Sequence, residues 1–131
     1  MFEKEKKRPL DAVERDVWKH CRRIVRERAY ARDGDLYCYT CGNGPLVGSN
    51  AHTGHMVNAA VLGWGMKFDL RLLRIQCYRC NIHLGGNGAV YLWRWISEHG
   101  VDEAIRLFQD IAADDRDRDH LRYLLDELAV K

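Results

Sequence analysis

Cysteines are the residues of this 131-residue chain whose spacing most clearly predicts chemistry. Cys38 and Cys41 form one Cys-x2-Cys pair, Cys77 and Cys80 form a second, and Cys21 stands apart on the apolar stripe of a predicted helix. Two such pairs in a small chain are typical of a tetrahedral zinc site with four thiolate ligands. We therefore expect a structural Zn²⁺ on the four paired cysteines. We expect Cys21 to be a small core residue on a helix.

The segment between the two cysteine pairs is long enough to hold more than a metal-binding turn. It spans 35 residues, whereas a simple zinc ribbon has about 15–20 residues between its pairs. It contains His52 and His55, and Asn81 follows the second pair directly, with His83 and Asn87 nearby. Because both groups are tied to one zinc scaffold, we expect them to face one another. His83 and Asn87 would share a helix face if a helix continued through the intervening glycines.

Helical periodicity brackets this segment on both sides. Residues 10–33 predict one long helix with an apolar stripe and many arginines on its other faces. Residues 36–88 predict a zinc-bound core with a short, irregular β-hairpin around residues 51–57, and a helix begins near Cys80. Residues 89–131 predict three helices, over 89–99, over 101–113 and from about residue 114. Their predicted inward faces are Val90, Trp93 and Ile96, then Ala104, Ile105, Phe108, Ile111 and Ala112, then Leu121, Leu124, Leu125 and Leu128.

Composition and charge exclude several classes of protein. Hydrophobic residues make up 47% and charged residues 31%, which is ordinary for a globular domain and excludes a disordered chain, a collagen or a coiled-coil rod. No stretch of about 20 apolar residues predicts a membrane span, and no apolar segment follows the basic N-terminus as in a secretory signal. We therefore expect a cytoplasmic protein, with residues 1–9 as a mobile basic leader and residues 10–131 as a single domain.

The net charge of +2 is unevenly distributed along the chain. Residues 1–33 hold 11 Lys and Arg against 7 Asp and Glu, whereas residues 101–131 hold 5 against 9. This asymmetry is typical of an N-terminal half that binds a polyanion and an acidic C-terminal segment that does not touch it, and equally of helix faces that only meet solvent.

The motifs occur in a characteristic order along the chain. The order is the first cysteine pair, Gly54-His55, Phe68-Asp69, Gln76 directly before the second cysteine pair, Asn81 directly after it, Gly86-Asn87 and Tyr91. Over roughly residues 11–100 this order resembles the NinG (Rap) recombination endonucleases of lambdoid phages. More distantly, it is similar to the zinc-scaffolded His-Me finger (HNH) nucleases. These include phage resolvases of the endonuclease-seven type, which share the Cys-Asn junction.

The resemblance implies an α+β fold with a small ββα-metal core, held by the four-cysteine zinc site and flanked by N- and C-terminal helices. It also implies a metal-dependent DNA endonuclease that acts on branched recombination intermediates such as D-loops and four-way junctions. A homodimer would suit symmetric cutting of a junction.

In that interpretation His55 is the general base, because a neutral imidazole can accept a proton from water near pH 7. Asn81 is a ligand of a catalytic Mg²⁺ or Mn²⁺ through its side-chain oxygen. The candidates for a second ligand or a further catalytic role are His52, Asp69, His83 and Asn87.

Two departures from the pattern keep other interpretations open. Gly54 stands where resolvase-type relatives have an acidic metal ligand, and only Asp69 matches the region of the middle Asn of the HNH pattern. A zinc-stabilised DNA-binding module that does not cut is the main alternative, and a protein-interaction module is another. In the structural alternatives His55 caps a hairpin, Asn81 caps a helix and Asn87 adopts a positive φ.

Cationic residues are the predicted DNA contacts, because phosphate contacts supply most non-specific affinity. They are Arg15, Lys19, Arg22, Arg23 and Arg26 on the first helix and Lys67, Arg71, Arg74 and Arg79 nearer the predicted site, with Lys4, Lys6, Lys7 and Arg8 in the leader.

Overall fold

Four α-helices and a two-stranded sheet make up residues 8–131, the part of the chain that the computed structural model describes. The helices are α1 (Leu10–Asp33), α2 (Gly88–His99), α3 (Val101–Ala113) and α4 (His120–Ala129). The strands are β1 (His52–His55) and β2 (Leu73–Gln76), and a π-helical turn covers Arg79–His83. The architecture is therefore mixed α+β. No helix within residues 8–131 is long and apolar enough to cross a membrane.

Helix α1 has the predicted bounds and the predicted buried stripe. It ends at Gly34, whose φ of 78° lets its N–H bond to the carbonyl of Tyr30, a left-handed cap that glycine favours. Burial raises the pKa of the Cys21 thiol to about 12, as expected for an inert core residue. Before the helix, Arg8 forms an ion pair with Asp16, so residues 8 and 9 belong to the fold. The other leader residues lie outside the described part of the chain. The buried stripe is Val13, Val17, Cys21, Ile24, Val25 and Ala29.

The sheet pairs β1 with β2 in antiparallel register, with His52 opposite Gln76 and His55 opposite Leu73. The predicted local hairpin around residues 51–57 is therefore wrong, because β1 pairs across the long 56–72 segment. The chain does not double back after β1. Instead, the side chain of Asn58 accepts a hydrogen bond from the N–H of Ala60 and starts a 3₁₀ turn.

Helices cover both sides of this sheet. Two residues of β2, Leu73 and Ile75, are buried in one core with the apolar faces of α1 and α4. On the other side, Tyr91 of α2 is fully buried. Its hydroxyl oxygen lies 3.0 Å from the carbonyl oxygen of Gly54 and 3.1 Å from that of Leu72. Thus the chain order is β1, β2, α2, and α2 is tied to the edge of the strand pair.

The inward face of α2 differs from the predicted one. Tyr91 and Trp95 are buried, whereas Val90 is exposed and Trp93 is 72% exposed. The polar tips of the two buried aromatic residues explain the choice, since Trp95 Nε1 donates to the carbonyl of Arg71 and Tyr91 also meets backbone carbonyls. Buried Tyr and Trp side chains require such hydrogen-bond partners. The spacing of apolar residues along the sequence does not predict where these partners lie.

Helix α3 follows the predicted inward face only in part, at Ala104 and Ile111. Ala104 and Leu107 are buried, while Ile105 and Phe108 remain substantially exposed.

The last helix begins later than predicted. It starts at His120 because Asp114 is used in a connection, accepting a hydrogen bond from the N–H of Gly65 and pairing with Arg116. Its leucines at 121, 125 and 128 are buried as predicted.

Candidate functional site

The four paired cysteines lie together, and Cys38, Cys77 and Cys80 are buried in the same core as α1 and β2. Their Sγ atoms are all within 4.8 Å of one another, and the Sγ atoms of Cys41 and Cys77 are 3.7 Å apart. Tetrahedral zinc with bonds of about 2.3 Å places its thiolates about 3.8 Å apart. The donor type, number and spacing therefore fit a structural Zn²⁺, as the sequence predicts.

Hydrogen bonds favour the thiolate of Cys38, whereas burial raises the pKa of the Cys41 and Cys77 thiols in the absence of a metal. Burial opposes ionisation of Cys38, but bonds from the Thr40 hydroxyl and from backbone N–H groups lower the pKa of its thiol to about 6. The N–H of Cys80 donates to Cys77 Sγ, and Asn87 Nδ2 donates to Cys80 Sγ at 3.8 Å. Such outer partners orient ligands and tune a metal site.

Asn87 and His83 are not held toward Asn81. Asn87 has a φ of 50°, as its structural alternative expects, and its Nδ2 donates to Cys80 Sγ, while its role as a Mg²⁺ ligand stays a prediction. The helix that would align it with His83 ends at that residue, since Gly85 and Gly86 have φ values of 58° and 94°. His83 is exposed and contacts the ring of Tyr78.

His52 is the histidine that meets Asn81. Its Nδ1 lies 3.0 Å from Asn81 Nδ2, and its Nε2 lies 2.9 Å from the carbonyl oxygen of Ser49. A carbonyl only accepts, so Nε2 carries the proton, and Nδ1 of the neutral ring accepts from the Asn81 amide. Both ring nitrogens of His52 are thus engaged, and the Asn81 Oδ1 atom is turned away from the imidazole.

His55 faces the opposite side of the sheet. Successive side chains of a strand alternate between faces, so His52 and His55, three residues apart, point to opposite sides. The ring of His55 stacks on Trp18 of α1, with ring centroids 5.5 Å apart and an interplanar angle of 7°. Its side chain therefore lies apart from that of Asn81, contrary to the expectation that they converge.

The state of His55 suits proton transfer. Its Nε2 donates to the carbonyl oxygen of Lys67 at 2.8 Å, which leaves Nδ1 as the lone-pair nitrogen. No residue within 8–131 donates to that Nδ1. Burial lowers the pKa of the imidazole, and the nearby Lys67 charge acts in the same direction while the Lys67 carbonyl opposes them. His55 is consequently neutral near pH 7.

A surface groove opens beside His55. It has a volume of about 270 Å³ and is lined by Glu14, Arg15, Trp18, His55, Lys67 and Phe68. The ammonium of Lys67 lies 4.7 Å from the centre of the Trp64 ring, a distance typical of a cation–π contact. The groove thus combines an oriented imidazole with two cations, a combination that suits a phosphodiester.

A cationic stripe continues from this groove along α1. Arg15, Lys19, Arg22 and Arg26 are exposed, and their spacing places them within about 60° of one another around the helix. None of the four forms an ion pair with a residue in the described chain. The stripe extends for about 16 Å. We call these four residues the α1 cationic stripe.

Other predicted DNA contacts are held by the protein itself. Arg23 contacts Glu27 and the carbonyl of Leu128. Arg71 pairs with both Asp69 and Asp110. The charge of Arg71 is thus neutralised, and Arg23 is turned toward Glu27 and α4. Arg79, by contrast, is exposed on the turn that carries Asn81.

Arg74 bonds to the carbonyls of Leu70 and Leu73 and lies over the ring of Tyr39. Asp69 caps a short 3₁₀ helix through the N–H of Arg71. Both line a separate cavity of about 670 Å³ with Arg116. The structure therefore does not bring Asp69 to Asn81.

Two contributors lie outside the predicted site residues. Trp18 fits the family resemblance in the sequence, but its stacking on His55 depends on tertiary packing. Gln76 stood directly before the second cysteine pair and is the buried polar residue of the described core. The available signal was its position in a strand with the apolar residues Leu73 and Ile75, because an amide buried in a core needs hydrogen-bond partners.

Comparisons with known proteins give a consistent result. The family model described as "Bacteriophage Lambda NinG protein" matches residues 2–129. A protein ninG of Salmonella phage P22 is 30% identical over 122 residues, which cover 92% of this chain and 54% of that protein. A protein ninG of Escherichia phage 933W is 33% identical over 105 residues, covering 77% of this chain and 51% of that protein. The chain thus spans about half the length of these curated relatives. No solved structure matches it.

Proposed function

The chain belongs to the NinG family of bacteriophage proteins, and on that premise we propose that it is a metal-dependent DNA endonuclease acting on branched recombination intermediates. The observation that carries the proposal is the state of His55. It is a neutral imidazole with a protonated Nε2, a free Nδ1 and two neighbouring cations in an open groove. Such a group can accept the proton of a water that attacks a phosphodiester.

The hydrogen bonds of the two imidazole rings favour His55 over His52 as the base. His52 uses Nε2 toward Ser49 and Nδ1 toward Asn81, so it has no free lone pair. His55 uses only Nε2. His52 acts instead as a positioning residue, because its Nδ1 keeps the Asn81 amide group turned so that Oδ1 faces away from the ring.

The order β1, β2, α2 supports a His-Me finger interpretation. The two strands are antiparallel, the helix that follows is fixed to them through Tyr91, and the four-cysteine site joins the turn before β1 to the turn after β2. This arrangement is what a zinc-stapled ββα core requires, with His55 at the end of β1 and Asn81 on the turn that leads to α2.

A divalent cation would be held by Asn81, on the face of β1 opposite the His55 side chain, so one phosphodiester would have to reach past the end of β1 to meet both groups. The side-chain oxygen of Asn81 is the hard donor that Mg²⁺ or Mn²⁺ prefers. When bound, the cation supplies charge stabilisation for the phosphate and the leaving oxygen. The residues of this chain do the rest: His55 takes the proton at Nδ1, Trp18 restricts its ring, and Arg15 and Lys67 neutralise phosphate charge.

The α1 cationic stripe supports binding of an extended polyanion. Four exposed cations over about 16 Å match successive backbone phosphates of a duplex arm leaving the groove. Preference for a branched substrate, and a homodimer that cuts it symmetrically, rest on the family resemblance rather than on these residues.

The test is cleavage of a labelled four-way junction and a matched linear duplex by zinc-loaded protein. Mg²⁺, Mn²⁺ and EDTA are compared for the natural chain, His55→Ala and the control His120→Ala, which alters a histidine outside the groove. We expect metal-dependent cutting that prefers the junction and is lost only in His55→Ala. Tight binding without cutting under any cation would replace the endonuclease with the non-catalytic DNA-binding module. Binding that ignores salt would point to a protein-interaction module.

A further inference from the structure

Gln76 is a fully buried amide at the end of β2, with 0% of its surface exposed. Its Nε2 donates to the carbonyl oxygen of Gly86 at 2.8 Å and to the hydroxyl of Thr40 at 3.1 Å. Because a carbonyl can only accept, these bonds fix which end of the amide is nitrogen. The opposite end, Oε1, has no hydrogen-bond partner among the described residues. A buried acceptor without a partner is rare and indicates a missing ligand or water.

The unpartnered oxygen points to the place where residue 54 has no side chain. A Cβ added to Gly54 would lie only 1.8 Å from Gln76 Oε1 and 3.1 Å from Asn81 Oδ1. The Gln76 oxygen thus fills the volume that an acidic side chain at position 54 would occupy. Gly54 is required there because any Cβ would collide with it.

The second oxygen at this point is also oriented by the protein. Ser49 fixes the proton of His52 on Nε2, His52 Nδ1 accepts from Asn81 Nδ2, and Asn81 Oδ1 is left facing Gly54. Gly86 orients Gln76 in the same manner. The orientation of each amide is fixed by a backbone carbonyl, that of Gly86 for Gln76 and, through His52, that of Ser49 for Asn81. The two amide oxygens therefore both lie beside Gly54.

We infer that Gln76 Oε1 replaces the acidic ligand that position 54 lacks and forms, with Asn81 Oδ1, an oxygen-donor pair for a hard divalent cation. Its meaning for catalysis rests on the proposed function. Mg²⁺ and Mn²⁺ select oxygen donors and are commonly held by few protein ligands together with substrate phosphate. Since both amides are neutral, the substrate phosphate adds negative charge that strengthens cation binding beyond that of the oxygen pair alone.

Mn²⁺-induced line broadening in amide NMR spectra of the zinc-loaded chain tests this assignment residue by residue. We expect early broadening of the Gly54 backbone N–H and the Gln76 and Asn81 side-chain N–H signals. Loss of a group that merely orients a ligand costs about 10–100-fold in metal affinity. In Gln76→Met, half-broadening at Gly54 should therefore need about tenfold more Mn²⁺ or more. Signals of the acidic 114–117 segment serve as the internal control.

A second variant guards against a merely damaged core. Gly54→Asp combined with Gln76→Ala exchanges the amide oxygen for a carboxylate in the same volume and should restore broadening at low Mn²⁺. Equal broadening at Gly54 in the natural chain and Gln76→Met, or none beyond that of surface amides, would overturn the inference and leave a buried water as the partner of Oε1.

The two proposals fail separately. Gln76-dependent broadening in a chain that never cuts DNA would retain the cation site and reject the endonuclease. Cutting that depends on His55, without Gln76-dependent broadening, would retain the endonuclease and reject the cation site.

Discussion

Substituting Gly54 by Ala tests the packing that underlies the cation site. Gly54 lies in β1 at a φ that other residues also adopt, so the added methyl group introduces no backbone strain. That methyl carbon would stand 1.8 Å from Gln76 Oε1 and 2.7 Å from its Cδ. Gln76 must therefore move by more than an ångström, which breaks its bond to the Gly86 carbonyl.

The magnitude follows from these contacts. Overpacking of a core costs about 1–3 kcal/mol, and the lost hydrogen bond adds about 1 kcal/mol. The lower entropy of the unfolded alanine chain returns about 0.4–1 kcal/mol. We expect Gly54→Ala to lower the free energy of unfolding by about 1–3 kcal/mol, and Tm by about 4 °C for each kcal/mol.

Thermal unfolding of the zinc-loaded protein measures this effect, and a double-mutant cycle assigns it. Gln76→Ala removes the colliding oxygen, so Gly54→Ala should be nearly neutral in that background. The matched control is Gly88→Ala, whose Cβ would make an ordinary 3.8 Å contact with the carbonyl of Met56. A fully stable Gly54→Ala, or an equal loss in both backgrounds, would refute the reasoning.

Three other predictions concern the zinc, the α1 cationic stripe and His55. Since structural zinc binds with about 10–16 kcal/mol and domains are stable by about 5–15 kcal/mol, chelation or Cys80→Ser should abolish cooperative unfolding measured by circular dichroism; an unchanged Tm would contradict the zinc site. Replacing two cations of the stripe by Gln should make the slope of log K against log salt shallower by about 1.8, with Arg106→Gln, on α3, changing it far less. Burial lowers the pKa of His55 in the folded chain below the unfolded value of about 6.5. The neutral His55 ring therefore stabilises the fold fully above about pH 6.5, and this stabilisation is lost as pH falls through the folded pKa. His55→Gln should therefore lose less Tm than the natural chain between pH 7 and pH 5, and parallel curves would reject that assignment.

The zinc ligands and α1 were predictable from the sequence because each is specified locally. Cys-x2-Cys spacing fixes two ligands on one turn, and the stripe from Val13 to Val25 repeats at helical spacing over several turns. The order of the motifs also identified the family, which the NinG family model confirms.

The strand pairing was not predictable in the same way. β1 is four residues long, and its partner follows an irregular 56–72 segment whose periodicity favours no element. The face of α2 was misassigned because hydrogen bonding, not apolar character, selects Tyr91 and Trp95 for the interior.

The site was predicted in its parts but not in its arrangement. His52, His55 and Asn81 were all singled out, yet the alternation of a strand places the two histidines on opposite faces. Asp69, His83 and Asn87 lie elsewhere because Arg71, Tyr78 and Cys80 engage them. The contribution of Gln76 depends on an orphaned oxygen, which only tertiary structure reveals.

We propose above that this chain cuts DNA with His55 as the base. The most direct test of this proposal is the single-turnover rate of junction cleavage in Mg²⁺ by the natural chain and by His55→Ala, at matched zinc content and Tm. A general base contributes about 10²–10⁴-fold, so we expect the natural chain to cut at least about a hundredfold faster than His55→Ala. Equal rates in the two proteins, or no cleavage by the natural chain, would contradict the proposal.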